Sequence, residues 1–116
     1  MLDLHSNKIS RIENINHLAD LRVLNLANNL VTNVTNLNGL LSLTELNLRR
    51  NLIDAVSSLQ HCAKLQRVFL SNNRIDKFEA ITCLSQCHQL QELALDGNPI
   101  QTKPKLNYFE QCLKMC

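Results

Sequence analysis

Tryptophan is absent from this chain of 116 residues, and aromatics make up only 3% of it. With one Tyr and three Phe, the stacking platforms that hold single-stranded nucleic acids are scarce. Glycine and proline are sparse, two of each, which excludes a collagen-like or linker-rich chain. Charge of one sign is lacking too. The formal net charge of +2 is too small to imply a nucleic-acid partner by itself. No run reaches the roughly 18 apolar residues of a membrane span. The opening Met1-Leu2-Asp3-Leu4-His5 has no basic stretch followed by an apolar one, so no signal peptide is read there. The apolar share of 45% argues against intrinsic disorder, and the length fits one domain at most.

Two residue types are abundant instead: 23 leucines and 15 asparagines. Asparagine is poor in both helices and strands, so an apolar chain rich in it must use it in turns or in one recurring role. The chain matches itself at a shift of 22, with Asn7, Asn29, Asn51 and Asn73 evenly spaced and Asn98 following after 25. An apolar frame precedes each Asn: Leu21-x-x-Leu24-x-Leu26, Leu43-x-x-Leu46-x-Leu48, Leu65-x-x-Val68-x-Leu70 and Leu90-x-x-Leu93-x-Leu95. The first copy keeps only Leu2-x-Leu4. After each Asn an apolar residue recurs about every third position, as in Val31, Val34, Leu37 and Leu40. The Leu-x-Leu alternation has period two, which places both leucines on one face of a strand.

One repeat then has a simple physical reading. Leu4, Leu26, Leu48, Leu70 and Leu95 point inward with the apolar residues two positions earlier. The Asn ends the strand at a turn, and its amide carries donors and an acceptor for backbone groups of its own and the next repeat. Asn7, Asn29, Asn51, Asn73 and Asn98 are therefore expected to form a structural ladder. Parallel strands stack about 4.8 Å apart, whereas helical segments want about 8–10 Å, so the sheet is expected to be the concave face. The expected fold is an α/β solenoid: a right-handed array with a concave parallel sheet and short 3₁₀ or α segments on the convex side.

Residues 1–100 are read as five repeats, the first incomplete, and residues 101–116 as a C-terminal capping helix, truncated. Leu106, Phe109, Leu113 and Cys116 fall on one helical stripe, which should cover the open end of the fifth repeat. The chain starts inside a repeat, so a longer parent protein is expected. The fourth repeat carries three extra residues. Phe78, Ile81, Leu84, Cys87 and Leu90 extend the every-third row, predicting one more turn in that outer segment.

Catalytic signatures are missing. There is no phosphate loop, no Gly-x-Gly-x-x-Gly and no Gly-x-Ser-x-Gly. His5, His17, His61 and His88 lie in different repeats, without triad-like context. Five cysteines without an export signal point to a reduced, cytoplasmic chain. Cys62 fills a Leu position and is expected to be buried and inert. The Cys83/Cys87 and Cys112/Cys116 pairs have a spacing weaker than a zinc knuckle, so no metal and no cofactor is expected. Asn33-Val34-Thr35 matches a glycosylation sequon but lacks an export signal.

With the frame inside, the variable strand positions face outward. The partner-binding candidates are Glu45, Asn47, Arg49, Arg50, Arg67, Phe69, Ser71, Glu92 and Asp96. Phe69 interrupts a column otherwise made of Asp3, Asn25, Asn47 and Ala94. An aromatic beside arginines has the composition of an interface hot spot. Otherwise Phe69 packs on the aliphatic stems of Arg67 and Glu45. The sheet floor projects only about 300 Å², against about 800 Å² per partner in a standard interface. Neighbouring loops, further repeats or the cap must contribute.

The frame Leu-x-x-Leu-x-Leu-x-x-Asn-x-Ile-x-x-Ile-x-x-Leu-x-x-Leu resembles the 22-residue class of intracellular leucine-rich repeats, typified by regulatory subunits of protein phosphatase 1. Within the class the chain is similar to leucine-rich-repeat subunits of tubulin polyglutamylase complexes. That likeness rests on Leu24-Asn25-Leu26-Ala27, Asn36-Leu37-Asn38-Gly39-Leu40, Ser42-Leu43-Thr44-Glu45-Leu46-Asn47-Leu48-Arg49 and Asp96-Gly97-Asn98-Pro99-Ile100, with Phe69-Leu70-Ser71 and Cys83-Leu84. The resemblance implies a non-catalytic protein-interaction scaffold, partnered by tubulin-modifying subunits and located at the cytoskeleton or cilium. Phosphatase regulation and an RNA-associated, spliceosomal role are the alternatives. The basic trio Arg49, Arg50 and Arg67 allows RNA; Glu45, Glu92 and Asp96 argue against it.

Overall fold

A computed structural model describes residues 1–57 and 59–102. Of the capping helix expected over residues 101–116, everything from residue 103 on, with its apolar stripe and the Cys112/Cys116 pair, lies outside the described residues. Five short strands form one parallel sheet: β1 (Leu2–Asp3), β2 (Val23–Asn25), β4 (Glu45–Asn47), β6 (Arg67–Phe69) and β7 (Glu92–Ala94), in that order. The register is the repeat itself, with Leu24 beside Leu46, Val68 and Leu93 and Asn47 beside Phe69 and Ala94. Leu24, Leu46 and Val68 are fully buried between half-buried or exposed neighbours, as a two-residue alternation requires. The parallel ladder runs on past the strands. The amides of Leu4, Leu26, Leu48 and Leu70 donate to the carbonyls of Asn25, Asn47, Phe69 and Ala94, each at 2.8 Å.

The ladder of asparagines fills the interior of the turn. Asn51 Nδ2 donates to the carbonyls of Leu26, Leu48 and Arg49 at 3.0–3.2 Å, while its Oδ1 accepts the Val31 amide at 3.1 Å. Asn29, Asn73 and Asn98 repeat the arrangement, and all four are buried. The direction differs from the expectation: each amide braces its own repeat and the preceding one, not the next. Asn7 is exposed, and its side chain donates to the Leu4 and His5 carbonyls of its own repeat, while its backbone amide donates to Asn29 Oδ1 at 3.1 Å.

On the outer side the every-third apolar spacing has a direct cause. The amides of Leu18, Leu21, Leu40, Leu43, Cys62 and Leu65 each donate to the carbonyl three residues back, which is the 3₁₀ pattern, so residues three apart share a face. In the third and fourth repeats this becomes regular 3₁₀ helix, Leu59–His61 and Phe78–Gln86. The fourth, at nine residues, is the longest and absorbs the three extra positions. A further 3₁₀ segment, Pro99–Thr102, follows the last Asn. One element was not expected: β3 (Asn33–Val34) and β5 (Ala55–Val56) pair as a second parallel sheet between the Asn turn and the outer segment. One core links the two sheets and the outer row, from Ile12 to Ile100. Gly39 sits where a Cβ would lie 1.7 Å from the Asn16 carbonyl oxygen, so the first two repeats approach backbone to backbone there.

Candidate functional site

The sheet face turned away from the core carries the variable residues in three rows across the strands. Glu45, Arg67 and Glu92 are register partners in the first row. Arg67 Nε donates to Glu45 Oε1 at 3.0 Å, so this arginine is neutralised within the face. The second row runs Asp3, Asn25, Asn47, Phe69 and Ala94. Asn25 Oδ1 accepts the Ala27 amide and Asn47 Oδ1 the Arg49 amide, two residues on in each case. These side-chain turns brace the exit of each strand.

The third row lies beyond the strands, where the amide of Arg50 donates to the Ser71 carbonyl and that of Asn72 to the Asp96 carbonyl. Arg49 and Phe69 come together across two rows: the guanidinium carbon stands 4.2 Å above the ring centroid. Phe69 is half-buried, and the Arg49 guanidinium lies over its ring. A cation over a ring at this distance contributes about 0.5–1 kcal/mol. Ser71 corrects the expectation of an outward residue. It is 4% exposed, and its hydroxyl donates to Asp96 Oδ1 at 2.5 Å, so it orients Asp96 and is not itself a contact surface. Glu92 and Asp96 are exposed and place two carboxylates on the β7 side. Arg50 is exposed and has a φ of 57°.

A row of left-handed residues runs beside the ladder. Ser6, Asn28, Arg50, Asn72 and Gly97 all have positive φ, one residue before each ladder Asn. The signal was present in part, because Asn and Gly tolerate that backbone best. Asn25 is also more than a spacer: it repeats at β2 the brace that Asn47 makes at β4.

The remaining titratable groups point to structure. Asp3 Oδ1 and His5 Nδ1 are 2.6 Å apart, and the hydrogen bond with that ring, then with the His5 amide, holds the Asp3 carboxyl below its usual range. Burial pushes the Cys62 thiol up to about 11. Burial, aided by the neighbouring Cys83 and Cys62, pushes Cys87 up to about 12. Burial raises Cys83 as well. Their Sγ atoms contact carbonyls of the preceding repeat: Leu37 for Cys62, Val56 for Cys83 and Leu59 for Cys87. These thiols stay protonated at neutral pH and are poor nucleophiles. Among the described residues no three or more His, Cys, Asp or Glu are grouped to hold a metal ion, and no helix is long and apolar enough to cross a membrane. A hollow of about 200 Å³ at the first repeat is lined by Leu4, Ile9, Ile12, Ile15 and Leu26, with Arg11 and Glu13 beside it. It lacks the converging acid, base and nucleophile of an active site.

Stacked parallel strands, a buried asparagine brace at Asn29, Asn51, Asn73 and Asn98 and an outer 3₁₀ row define a repeat solenoid whose variable residues lie on one sheet face. The family described as Leucine Rich repeats (2 copies) matches residues 20–61 and 41–83, together more than half the chain. The chain belongs to the leucine-rich repeat family.

Solved structures agree. A chain of the SNF/U2A′ complex of Drosophila melanogaster is 28% identical with a TM-score of 0.89, over 97% of this chain and 67% of that one. A leucine-rich-repeat protein of Leptospira interrogans is 30% identical with a TM-score of 0.82, over 99% of this chain and 29% of its own. Internalin C2 of Listeria monocytogenes is 31% identical with a TM-score of 0.77, over 91% of this chain and 46% of its own. No curated protein sequence matches significantly. Leucine-rich repeat domains are, in general, protein-interaction modules without catalytic activity.

Proposed function

We propose that this chain is a non-catalytic scaffold that docks a protein partner on the outward face of the five-stranded sheet, the face expected to be concave. The observation that carries the reading is Arg49 stacked on Phe69 in the middle of that face. A half-buried aromatic with a guanidinium laid over it is a rigid, amphipathic anchor, and such residues dominate binding energy at protein interfaces. The fold does not need Phe69, because its register partners Asn47 and Ala94 fill the same position with a polar and a small side chain.

A tubulin-modifying complex at the cytoskeleton or cilium is the finer form of this reading, supported by the sequence likeness alone. An RNA-associated assembly is the second reading, favoured by the likeness to a chain of the SNF/U2A′ complex. In that case too, docking a protein is what the sheet face suits, because Glu92 and Asp96 oppose phosphates.

The test is quantitative affinity purification with the tagged wild type, Phe69→Ala and Leu41→Ser. Leu41 is 60% exposed and serves as the control away from the strands. The expected result is at least a fivefold loss of the captured partner with Phe69→Ala and none with Leu41→Ser, both variants keeping the wild-type melting temperature within about 3 °C. Capture that survives Phe69→Ala and falls with Leu41→Ser moves the docking surface elsewhere. Imaging the tagged chain in ciliated cells, and identifying the partner, separates the two finer readings.

A further inference from the structure

The side chains around Arg49 have their acceptors occupied and their donors open. Asn25 Oδ1 and Asn47 Oδ1 each hold a backbone amide, at 3.0 and 3.2 Å. An N–H donor fixes which end of the side-chain amide is oxygen. Among the described residues, neither NH2 group has an acceptor. Arg49 gives one face of its guanidinium to Phe69, and the two ion pairs among the described residues, Asp3–His5 and Glu45–Arg67, involve neither Arg49 nor Arg50. The sign reverses two strands away, where Glu92 and Asp96 stand exposed and Arg67 is already held by Glu45. From β2 to β7 the face is therefore polar along the solenoid axis, with open donors over β2 and β4, where Arg67 holds the Glu45 carboxylate, and carboxylates over β7; on β1 the Asp3 carboxylate is paired with His5.

Arg50 adds an independent argument. In the left-handed row it replaces the Ser, Asn, Asn and Gly of the other turns. The row is otherwise a place for short side chains: Asn28 Nδ2 reaches Ser6 Oγ at 3.2 Å, and a Cβ on Gly97 would lie 2.2 Å from Asn72 Oδ1. A long, exposed cation on a left-handed backbone gains the fold nothing.

We infer that the sheet face takes an acidic segment of a protein partner. Its carboxylates lie over β4 against Arg49, Arg50 and the open amides of Asn25 and Asn47, and its neutral or basic residues lie toward β7. This rests on the scaffold reading above. Planar guanidinium groups and amide NH2 donors match carboxylate oxygens, and Arg in particular can grip both oxygens at once. Nucleic acid fits less well, because its charge is uniform along the strand and would also face Glu92 and Asp96.

The test is amide and Arg side-chain NMR of the full chain titrated with three probes. These are an acetylated peptide of four Glu, one Gly and two Lys; an acetylated tetralysine peptide; and an eight-residue oligouridylate. The first is expected to shift the amides of residues 47–50 and the Arg49 Nε–H, and to bind at least tenfold more weakly to the Arg49→Gln/Arg50→Asn double variant. Tetralysine is expected to leave those signals unmoved. Absent shifts, equal affinity in the double variant, or tighter binding of oligouridylate at the same residues each overturns the inference, the last in favour of nucleic acid. If the double variant captures the cellular partner normally while Phe69→Ala does not, this inference alone fails. If neither variant affects capture, the docking reading fails with it.

Discussion

Two rows of side chains run along this solenoid one residue apart, and they obey opposite rules. The ladder of Asn29, Asn51, Asn73 and Asn98 is one residue type throughout, buried, each amide shared between two repeats. Beside it, Ser6, Asn28, Arg50, Asn72 and Gly97 share a backbone conformation but not a side chain, and are exposed. In the first row every polar atom has a partner that only an amide supplies, so substitution leaves buried backbone groups unpaired. In the second row the backbone sets only a mild preference, and water satisfies the rest. Identity therefore marks the positions that hold the stack together, and departure from a row's habit marks positions free for other use. Arg50 is such a departure, and it neighbours the stacked Arg49.

The sharpest way to break this contrast is at the ladder. Asn51→Ala strips an acceptor from the Val31 amide and a donor from the carbonyls of Leu26, Leu48 and Arg49. The expected loss is about 4 kcal/mol of unfolding free energy in urea. Asn7→Ala, at the exposed end of the same row, should cost about 1 kcal/mol or less. Equal losses at the two positions would show that the brace does not depend on side-chain bonds to a second repeat.

Gly39→Ala comes next. A Cβ 1.7 Å from the Asn16 carbonyl oxygen forces the backbones of two repeats apart, at a cost of about 3 kcal/mol. Gly97 is tight for a different reason, meeting the flexible Asn72 side chain. Gly97→Ala should therefore cost less if its left-handed φ of 75° is the main constraint. Thermal melts of the two variants compare backbone contact with backbone conformation directly.

A milder effect concerns pH. Cys62 and Cys87 titrate near 11 and 12 in the fold, above the ordinary 9.0. Burial raises them, so the folded state favours the neutral thiol. That stability is complete below the unfolded-state value and is lost as pH rises from 9 toward 11–12. The urea midpoint should hold steady from pH 7 to 8.5 and then fall. The fall should be shallower in Cys87→Ala, compared with its own value at pH 7.

Much of this architecture was legible because the same constraint recurs every 22 residues. The inward leucines, the outward Glu45, Asn47, Arg49 and Phe69, and the longer fourth outer segment all follow from that spacing. What the spacing does not carry is direction and depth. A repeat reads the same toward its predecessor as toward its successor, so the partner of each Asn could not be assigned by counting. Ser71 sits at a variable position and looked exposed, yet it is small enough to sink beneath Asp96 and bond to it. β3 and β5 are two residues each, too short to show alternation, and their Val34 and Val56 read equally well as part of the every-third row.

Two smaller changes separate the arginines of the sheet face. Arg50→Asn gives the left-handed turn the residue type found at Asn28 and Asn72, and should raise stability by about 0.5–1 kcal/mol. Coupled with weaker binding of the acidic peptide, that gain would mark Arg50 as kept for docking at the expense of the fold.

Arg67→Gln is the smallest expected effect. Its Nε–Oε1 bond to Glu45 is 3.0 Å long, but the two side chains are 48% and 29% exposed, so solvent screens the pair. The expected change is less than about 0.5 kcal/mol. The charge on Arg67 is opposed by Glu45 and lies in register with Glu92, so an arriving carboxylate meets a row that already carries two. Arg67→Gln should thus leave acidic-peptide affinity within about twofold, where Arg49→Gln lowers it much further. Equal losses from the two substitutions would mean that the face responds to total charge, and that the stacking of Arg49 on Phe69 confers no direction on what it binds.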